Sequence, residues 1–253
     1  MNPYTRNLNR IEFVVTYACT GKCKHCSEGE HKLQGEHLKG EAAAEAVYRV
    51  AEKYKMDSLM TFGGEPLLFP DVVCQIHRAG KEAGIPKRQL ITNGFFSKEK
   101  EKIKRVVEQL AESGVNAVLL SVDAFHQETI PLETVKTFAG AVKEAEIPIR
   151  THPAWLRNQE AENEYNRKTR EILEVFTQMG IFPSEGNIIF PSGNALKYLR
   201  EYFDSSAVPV NPYIEKEDDI RCICIEPNGD VLSKNVYWSD IMEILDGYVP
   251  PKK

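Results

Sequence analysis

The feature that most constrains the fold is a regular alternation of short apolar stretches with longer amphipathic ones. Apolar, β-branched runs predict strands, and charged stretches with apolar residues about four apart predict helices. Six strands are expected, at residues 11–16, 58–62, 89–92, 117–122, 147–152 and 187–190. Helices are expected between them, at residues 36–55, 71–83, 97–112, 133–144 and 160–179. Because crossovers of ten or more residues join strands that run in the same direction, the alternation predicts an α/β fold with a parallel sheet.

Composition excludes several classes of protein. The 253 residues, 42% of them hydrophobic, are enough to bury a sizeable core. The net charge of −5, without a basic stripe, disfavours a nucleic-acid partner. No apolar run approaches the roughly 20 residues of a membrane span, so no membrane partner is expected. The chain begins without a secretion signal, which predicts a cytoplasmic location, where the six cysteines are metal ligands or core thiols rather than disulfides.

Three of these cysteines, Cys19, Cys23 and Cys26, lie on a loop directly after the first predicted strand. A loop of this length can curl its thiols onto one face of a metal or cluster. Closed zinc and iron–sulfur sites use four ligands, so three thiolates leave one position open for a substrate or cofactor. The alternative is a zinc site completed by one of three nearby histidines: His25, His31 and His37.

Polar and glycine-bearing segments follow the other predicted strands. They are Gly63-Gly64-Glu65-Pro66, Asn93-Gly94, Asp123 to His126, and His152. Ligands of parallel α/β folds bind at the carboxyl ends of the strands, so these segments are expected to gather at one site. Two adjacent glycines permit close backbone approach to a ligand, and Ser121 and Asp123, two residues apart on a strand, share a face.

The CxxxCxxC loop, followed one strand–helix unit later by the GGEP motif, resembles the radical S-adenosylmethionine (radical SAM) enzymes over about residues 10–195. The resemblance implies a partial (β/α)6 barrel and a single 4Fe–4S cluster held by Cys19, Cys23 and Cys26. S-adenosylmethionine would chelate the fourth iron and be cleaved to a 5′-deoxyadenosyl radical. That radical would abstract hydrogen from a peptide or small-molecule substrate, with a flavodoxin- or ferredoxin-like protein as electron donor.

The resemblance also assigns roles to single residues. Contacts with S-adenosylmethionine are implied for His25, Gly63, Gly64, Glu65, Pro66, Asn93, Ser121, Asp123 and His152. Candidate catalytic residues are Asp123, on the cofactor or the substrate side, and His126, as an acid or base. For His126 an exposed position in a loop is the alternative. His25 stands where relatives usually place an aromatic residue.

The alternation stops after residue 195, which predicts a core of residues 1–195 and an extension of residues 196–253. Two short strands around Pro227-Asn228-Gly229-Asp230 predict a hairpin. This tail resembles the SPASM or twitch extensions that hold auxiliary clusters, but it has only Cys222 and Cys224, too few to close a cluster. A degenerate extension that caps the barrel is therefore expected, with a functional thiol pair as the alternative. For the whole chain, the alternative to a radical enzyme is a non-catalytic zinc or iron–sulfur module.

Overall fold

The computed structural model describes residues 1–32, 34–203, 211 and 214–251. Its strands are β1 (Arg10–Val14), β2 (Ser58–Phe62), β3 (Lys87–Thr92), β4 (Ala117–Leu120), β5 (Ile149–Thr151), β6 (Ala154–Trp155), β7 (Asn187–Ile188), β8 (Cys222–Ile225), β9 (Asp230–Val231) and β10 (Lys234–Asn235). Its α-helices are α1 (Gly40–Lys53), α2 (Pro70–Glu82), α3 (Lys100–Ser113), α4 (Leu132–Glu144), α5 (Glu164–Gln178), α6 (Gly193–Tyr198) and α7 (Ile241–Asp246). Among the described helices, none has both the length and the apolar character needed to cross a membrane.

The main sheet has six strands in the order β5-β4-β3-β2-β1-β8, and every neighbouring pair is parallel. Helices α1 to α4 provide the crossovers between β1 and β5. The α/β prediction and the partial barrel are thereby confirmed. All the carboxyl ends of the main strands lie at one edge, where the polar segments follow them.

The two faces of the sheet differ in chemistry, and β1 shows why. Ile11 and Phe13 are fully buried in the core beneath the helices. Arg10 and Glu12 alternate with them and face a cavity of about 1710 Å³ on the concave side of the sheet. This cavity, called the lumen below, is large enough for a substrate and opens next to the cysteine loop.

The sixth strand of the main sheet is not the predicted one. Residues 187–190 contribute only β7, which pairs with β6 in a separate two-stranded sheet. The sixth position belongs to β8, which pairs in parallel with β1. The physical reason is burial: Ile223 and Ile225 of β8 pack into the main core, whereas both residues of β7 are exposed.

The predicted hairpin between residues 222–225 and the strand after Asp230 is likewise wrong in its pairing. The antiparallel pair of the tail is β9 with β10, and it follows the turn at residues 226–230. Because β8 is part of the main sheet, the tail supplies a wall of the lumen. The division at residues 195 and 196 stays a prediction.

Candidate active site at the carboxyl ends of the strands

The loop after β1 brings Cys19, Cys23 and Cys26 to the lining of one cavity of about 110 Å³. Gly21 permits the curl, because a Cβ atom at this position would lie 3.2 Å from Cys23 Sγ and 3.1 Å from Ile130 Cδ1. The Gly21 amide donates to Cys19 Sγ over 3.3 Å, and the Cys26 amide donates to the Cys23 carbonyl over 3.3 Å. The loop therefore holds three thiols against one space.

The chemistry of these thiols fits a metal cluster. Burial raises the pKa of Cys19 to about 12, and the negative charge of Glu65 adds to the effect. Burial also raises the pKa of Cys23 and that of Cys26. Buried thiols of this kind become thiolates when a cation compensates their charge. None of the other three described cysteines lines the cavity, so the donor set is three sulfurs with one coordination position left open.

Gly63 and Gly64 are required by a close approach between two backbone segments. The Gly64 amide donates to the Thr16 carbonyl over 2.7 Å, and the Glu65 amide donates to the Ala18 carbonyl over 2.8 Å. A Cβ atom at Gly63 would lie 2.4 Å from the Thr16 oxygen, and one at Gly64 would lie 2.2 Å from the Ala18 oxygen. Both glycines also line the cavity. Their backbone therefore fixes the cysteine loop and faces the same cavity as the thiols.

Glu65 does not line this cavity. Its carboxylate is fully buried and accepts hydrogen bonds from the Leu67 amide over 2.9 Å, the Thr92 hydroxyl over 2.7 Å and the Asn93 amide over 2.8 Å. Burial raises the pKa of Glu65 to about 7. Pro66, which follows it, is buried as well. The side chain of Glu65 thus ties the end of β2 to the end of β3.

Asn93 lines the cavity directly after β3. Its Oδ1 atom accepts a hydrogen bond from the Phe95 amide over 2.8 Å. Its Nδ2 atom lies 3.6 Å from Cys19 Sγ and 3.3 Å from Thr20 Oγ1. Ser121, at the end of β4, lines both this cavity and the lumen. The structure therefore brings Asn93 and Ser121 together with the cysteines, as predicted from strand-end positions.

Asp123, which is fully buried, pairs with the partly buried His126. Asp123 Oδ1 accepts from the amides of Phe125 and His126, and Oδ2 accepts from the Ala154 amide over 3.0 Å and from His126 Nδ1 over 2.8 Å. Burial alone would raise the pKa of Asp123, but the His126 charge and these hydrogen bonds outweigh it and hold the pKa below its ordinary value. Asp123 lines neither cavity, whereas His126 lines both. With its side chain 15% exposed, His126 is not the exposed loop histidine of the alternative prediction.

His25 packs beside this pair, with ring centroids 5.0 Å from Phe125 and 4.7 Å from His126. Burial lowers the pKa of His25 to about 4, and its buried Nδ1 has no hydrogen-bond partner among the described residues. One ligand atom each of Cys23, His25 and His126 lies within 4.8 Å of the others. These three residues can also hold a metal ion, but this set shares only Cys23 and His25 with the predicted zinc alternative.

The other two histidines of the zinc alternative differ in position. His31 Nε2 lies 2.9 Å from Cys26 Sγ, and His31 Nδ1 lies 2.7 Å from the Tyr17 carbonyl oxygen. A carbonyl only accepts, so Nδ1 carries a proton and Nε2 faces the sulfur. His37 instead packs on Phe69, with ring centroids 4.3 Å apart, and does not line the cavity.

His152 follows β5 and lines the lumen but not the smaller cavity. Its Nδ1 atom lies 2.8 Å from Ser184 Oγ, and burial lowers its pKa. His152 therefore lies on the lumen side and not beside the cysteines, and its predicted contact with the cofactor stays a prediction.

Among the polar residues of the lumen are four, on β1 and β8, that the sequence-based site did not combine. Arg10 lies opposite Cys222 and Glu12 opposite Cys224 in the pairing of β1 with β8, and all four line the lumen. Arg10 and Glu12 form an ion pair. Burial raises the pKa of both thiols, which stay protonated. The sequence does carry a signal for the two residues of β1. Arg10 and Glu12 alternate with Ile11 and Phe13, and this pattern on a central strand indicates a polar inner face.

Comparison with known proteins identifies the family. The sequence model of the Radical SAM superfamily matches residues 13–151, more than half of the chain. A probable GTP 3′,8-cyclase of Methanocaldococcus jannaschii is 25% identical over 125 residues, which cover 49% of this chain and 40% of that protein. A probable GTP 3′,8-cyclase of Saccharolobus solfataricus is 25% identical over 227 residues, which cover 84% of this chain and 67% of that protein. The matched part of the chain thus spans between 40% and 67% of the length of these two relatives.

Solved structures agree on the fold. anSMEcpe with bound AdoMet and the Cp18Cys peptide superposes with a TM-score of 0.59 at 12% identity, covering 94% of this chain and 80% of that one. Streptococcus suis SuiB bound to S-adenosylmethionine superposes with a TM-score of 0.60 at 16% identity, covering 97% and 67%. BtrN in complex with AdoMet and 2-DOIA gives 0.52 at 15% identity, covering 94% and 81%.

At these identities the solved structures support the shared fold, while the likeness of the tail to a SPASM or twitch extension stays a prediction. The match of residues 13–151, the parallel partial barrel and three thiols at one cavity point to the same conclusion. The chain is an enzyme that uses a 4Fe–4S cluster and S-adenosylmethionine. It belongs to the radical SAM superfamily.

Proposed function

We propose that Cys19, Cys23 and Cys26 hold a single 4Fe–4S cluster with one open iron, and that the substrate occupies the lumen beside it. The observation that carries this proposal is the convergence of the three thiols on one cavity that adjoins the lumen. When bound, the cluster and S-adenosylmethionine supply the one-electron cleavage that gives a 5′-deoxyadenosyl radical. A small flavodoxin- or ferredoxin-like protein supplies the electron.

The residues shared by the two cavities mark where cofactor and substrate meet. They are His25, Cys26, Ile91, Ser121 and His126. In the proposed complex, the Gly63–Gly64 backbone and the Ser121 hydroxyl contact S-adenosylmethionine. The substrate lies on the lumen side, so that the hydrogen to be abstracted faces this boundary.

His126 is the group proposed to move or hold a proton at this boundary. Its Nδ1–H donates to Asp123 Oδ2, so the other ring nitrogen, Nε2, is the one left to meet a ligand. Asp123 acts as a positioning residue, because its carboxylate contacts His126 but neither cavity. His152, which follows the neighbouring strand β5, is proposed to contact the substrate from within the lumen.

The proposed substrate is a peptide segment or a polar small molecule, whose hydrogen is abstracted in the lumen. At about 1710 Å³ the lumen exceeds the roughly 300–1,000 Å³ of ordinary small-molecule pockets, which favours a large substrate. A second candidate is nucleotide cyclisation of the kind named for the GTP 3′,8-cyclase relatives. Three cationic side chains that could meet phosphates favour it, and all line the lumen: Arg10, Lys87 and Arg150.

The test is anaerobic reconstitution with iron and sulfide, followed by S-adenosylmethionine and dithionite, with assays for iron and 5′-deoxyadenosine. We expect about four irons per chain and accumulating 5′-deoxyadenosine. Cys23→Ala should lose both. Cys74→Ala, a matched control, should lose neither, because Cys74 is buried in α2 and lines neither cavity. Cofactor cleavage by the Cys23→Ala protein would overturn the assignment.

The same samples distinguish the zinc alternative from the proposed 4Fe–4S enzyme. A colourless protein that keeps one zinc and no iron after reconstitution would replace the proposal with a metal-binding module. His31→Ala or His25→Ala would then lower zinc retention, and the affected variant would identify the fourth ligand.

A further inference from the structure

We propose that Asn93 donates a hydrogen bond from its side-chain amide to the sulfur of Cys19 and thereby raises the reduction potential of the cluster. The inference rests on the proposed role of Cys19 as a cluster ligand. The contact that carries it joins Asn93 Nδ2 and Cys19 Sγ over 3.6 Å, inside the usual range for a hydrogen bond to sulfur. Asn93 is a positioning and tuning residue for the cluster.

The orientation of the amide is fixed by its other end. The Phe95 backbone amide only donates, and it points at Asn93 Oδ1 over 2.8 Å. The oxygen must therefore face Phe95, and the NH2 group must face Cys19 and Thr20. If the side-chain amide were flipped, its NH2 group would face the Phe95 N–H, and neither of these two donors would have an acceptor.

The position of Asn93 is held from behind. Its backbone amide donates to Glu65 Oε2 over 2.8 Å, and the preceding Thr92 hydroxyl donates to Glu65 Oε1 over 2.7 Å. Asn93 is 5% exposed, so water has little access to compete for the sulfur. A hydrogen-bond donor that is held in place and shielded from water can change the electron density on a ligand of a metal centre.

The direction of the effect follows from charge. Reduction adds one negative charge to the cluster and its thiolates, and a donor aimed at a thiolate sulfur stabilises that charge. Removing the donor should therefore make reduction harder. The Gly21 amide, which also donates to Cys19 Sγ, is unchanged by side-chain substitutions at residue 93.

The experiment is a redox titration followed by electron paramagnetic resonance of the reconstituted full chain without S-adenosylmethionine. Asn93→Leu keeps the size of the side chain and removes the donor. At a fixed potential we expect its ratio of reduced to oxidised cluster to fall about three- to tenfold, where tenfold corresponds to ~59 mV for one electron. The matched control is Asn194→Leu, because Asn194 Nδ2 donates to the Cys23 carbonyl oxygen over 3.1 Å, not to a sulfur. That control should retain less iron but titrate at the wild-type potential.

An unchanged potential in Asn93→Leu, or an equal shift in Asn194→Leu, would overturn the inference while leaving the cluster assignment intact. A Cys19→Ala protein that still assembled a normal cluster would instead remove the proposed function on which the inference rests. Wild-type protein labelled with ¹⁵N only in asparagine gives a test that needs no variant. Pulsed resonance of its reduced cluster should show a weak ¹⁵N coupling, and no such coupling would refute the hydrogen bond. Asn93→Ser, whose side chain has no nitrogen, should lack that coupling, which would assign the coupling to Asn93 rather than to Asn194.

Discussion

Two glycine-to-alanine substitutions should change stability in opposite directions, because only one of the glycines is required by its surroundings. At Gly64 a Cβ atom would lie 2.2 Å from the Ala18 carbonyl oxygen and 2.8 Å from the Tyr17 carbonyl oxygen. Real Cβ atoms do not come so close to backbone, so the cysteine loop must move away. At Gly140, inside α4, a Cβ atom meets nothing within 4 Å.

The magnitudes follow from the contacts that are lost or gained. Moving the loop away from Gly64 breaks the hydrogen bonds from the Gly64 amide to Thr16 and from the Glu65 amide to Ala18. Two net hydrogen bonds and residual strain should cost about 2–4 kcal/mol of unfolding free energy. Gly140→Ala should instead add about 0.5–1 kcal/mol, because alanine loses less backbone entropy in a helix interior.

The assay is urea unfolding of the cluster-free chain, followed by circular dichroism, with iron retention measured after reconstitution. Gly64→Ala should unfold at lower urea and retain less iron, because the same displacement moves Cys19. Gly140→Ala should unfold at higher urea and retain wild-type iron. A Gly64→Ala protein with wild-type stability and iron content would refute the close packing of the two backbones.

Two further predictions concern the buried carboxylates. Asp123→Asn should cost about 2–4 kcal/mol in urea unfolding at neutral pH and slow cofactor cleavage, because asparagine has one accepting oxygen where aspartate has two. Its NH2 group must therefore face either the amides of Phe125 and His126 or the Ala154 amide and His126 Nδ1, all of which donate. A variant equal to wild type in both assays would contradict this prediction. Burial raises the pKa of Glu65 from 4.5 to about 7, so the folded chain holds a proton that the unfolded chain has released. The free energy of unfolding should therefore fall by up to about 3 kcal/mol as pH rises from 4.5 to about 7. Urea titrations at pH 5, 6, 7 and 8 measure this decline, which Glu65→Gln should flatten. An equal decline in the variant would show that Glu65 is not its cause.

Most of the sheet could be predicted because its strands and crossovers are local patterns. Strands β1 to β5 follow in chain order, and each is read from its own apolar run. The sixth strand could not be assigned in this way. Ile223 and Ile225 alternate in a manner that suits either a hairpin or a strand beside β1, and only the available buried edge of β1 decides between them.

The sequence could predict which residues lie at the strand ends near the cavity, but not where their side chains point. A polar residue at a strand end can face a ligand or hold a neighbouring loop, and both roles require hydrogen bonds. Asn93, Ser121 and His126 line the cavity, whereas Glu65 and Asp123 point into the protein. Sequence spacing assigns a residue to the strand end, but the partner that satisfies its side chain comes from another element and is known only once the chain has folded.

The two buried carboxylates show how this site is preorganised. Glu65 accepts three hydrogen bonds and Asp123 accepts four before any ligand binds. These bonds, with the charge of His126, outweigh the cost of burying the Asp123 carboxylate, whereas for Glu65 they offset only part of it. Each holds a group that lines the cavity, Asn93 in one case and His126 in the other. The cavity is therefore lined by the amide of Asn93 and the imidazole of His126, while the negative charge of Asp123 lies one layer behind them. Such a charge distribution favours a cationic ligand such as a sulfonium without forming a fixed ion pair with it. The ionised Asp123 thus contributes both the orientation of His126 and part of the field, which is why its loss should affect stability and cofactor cleavage together.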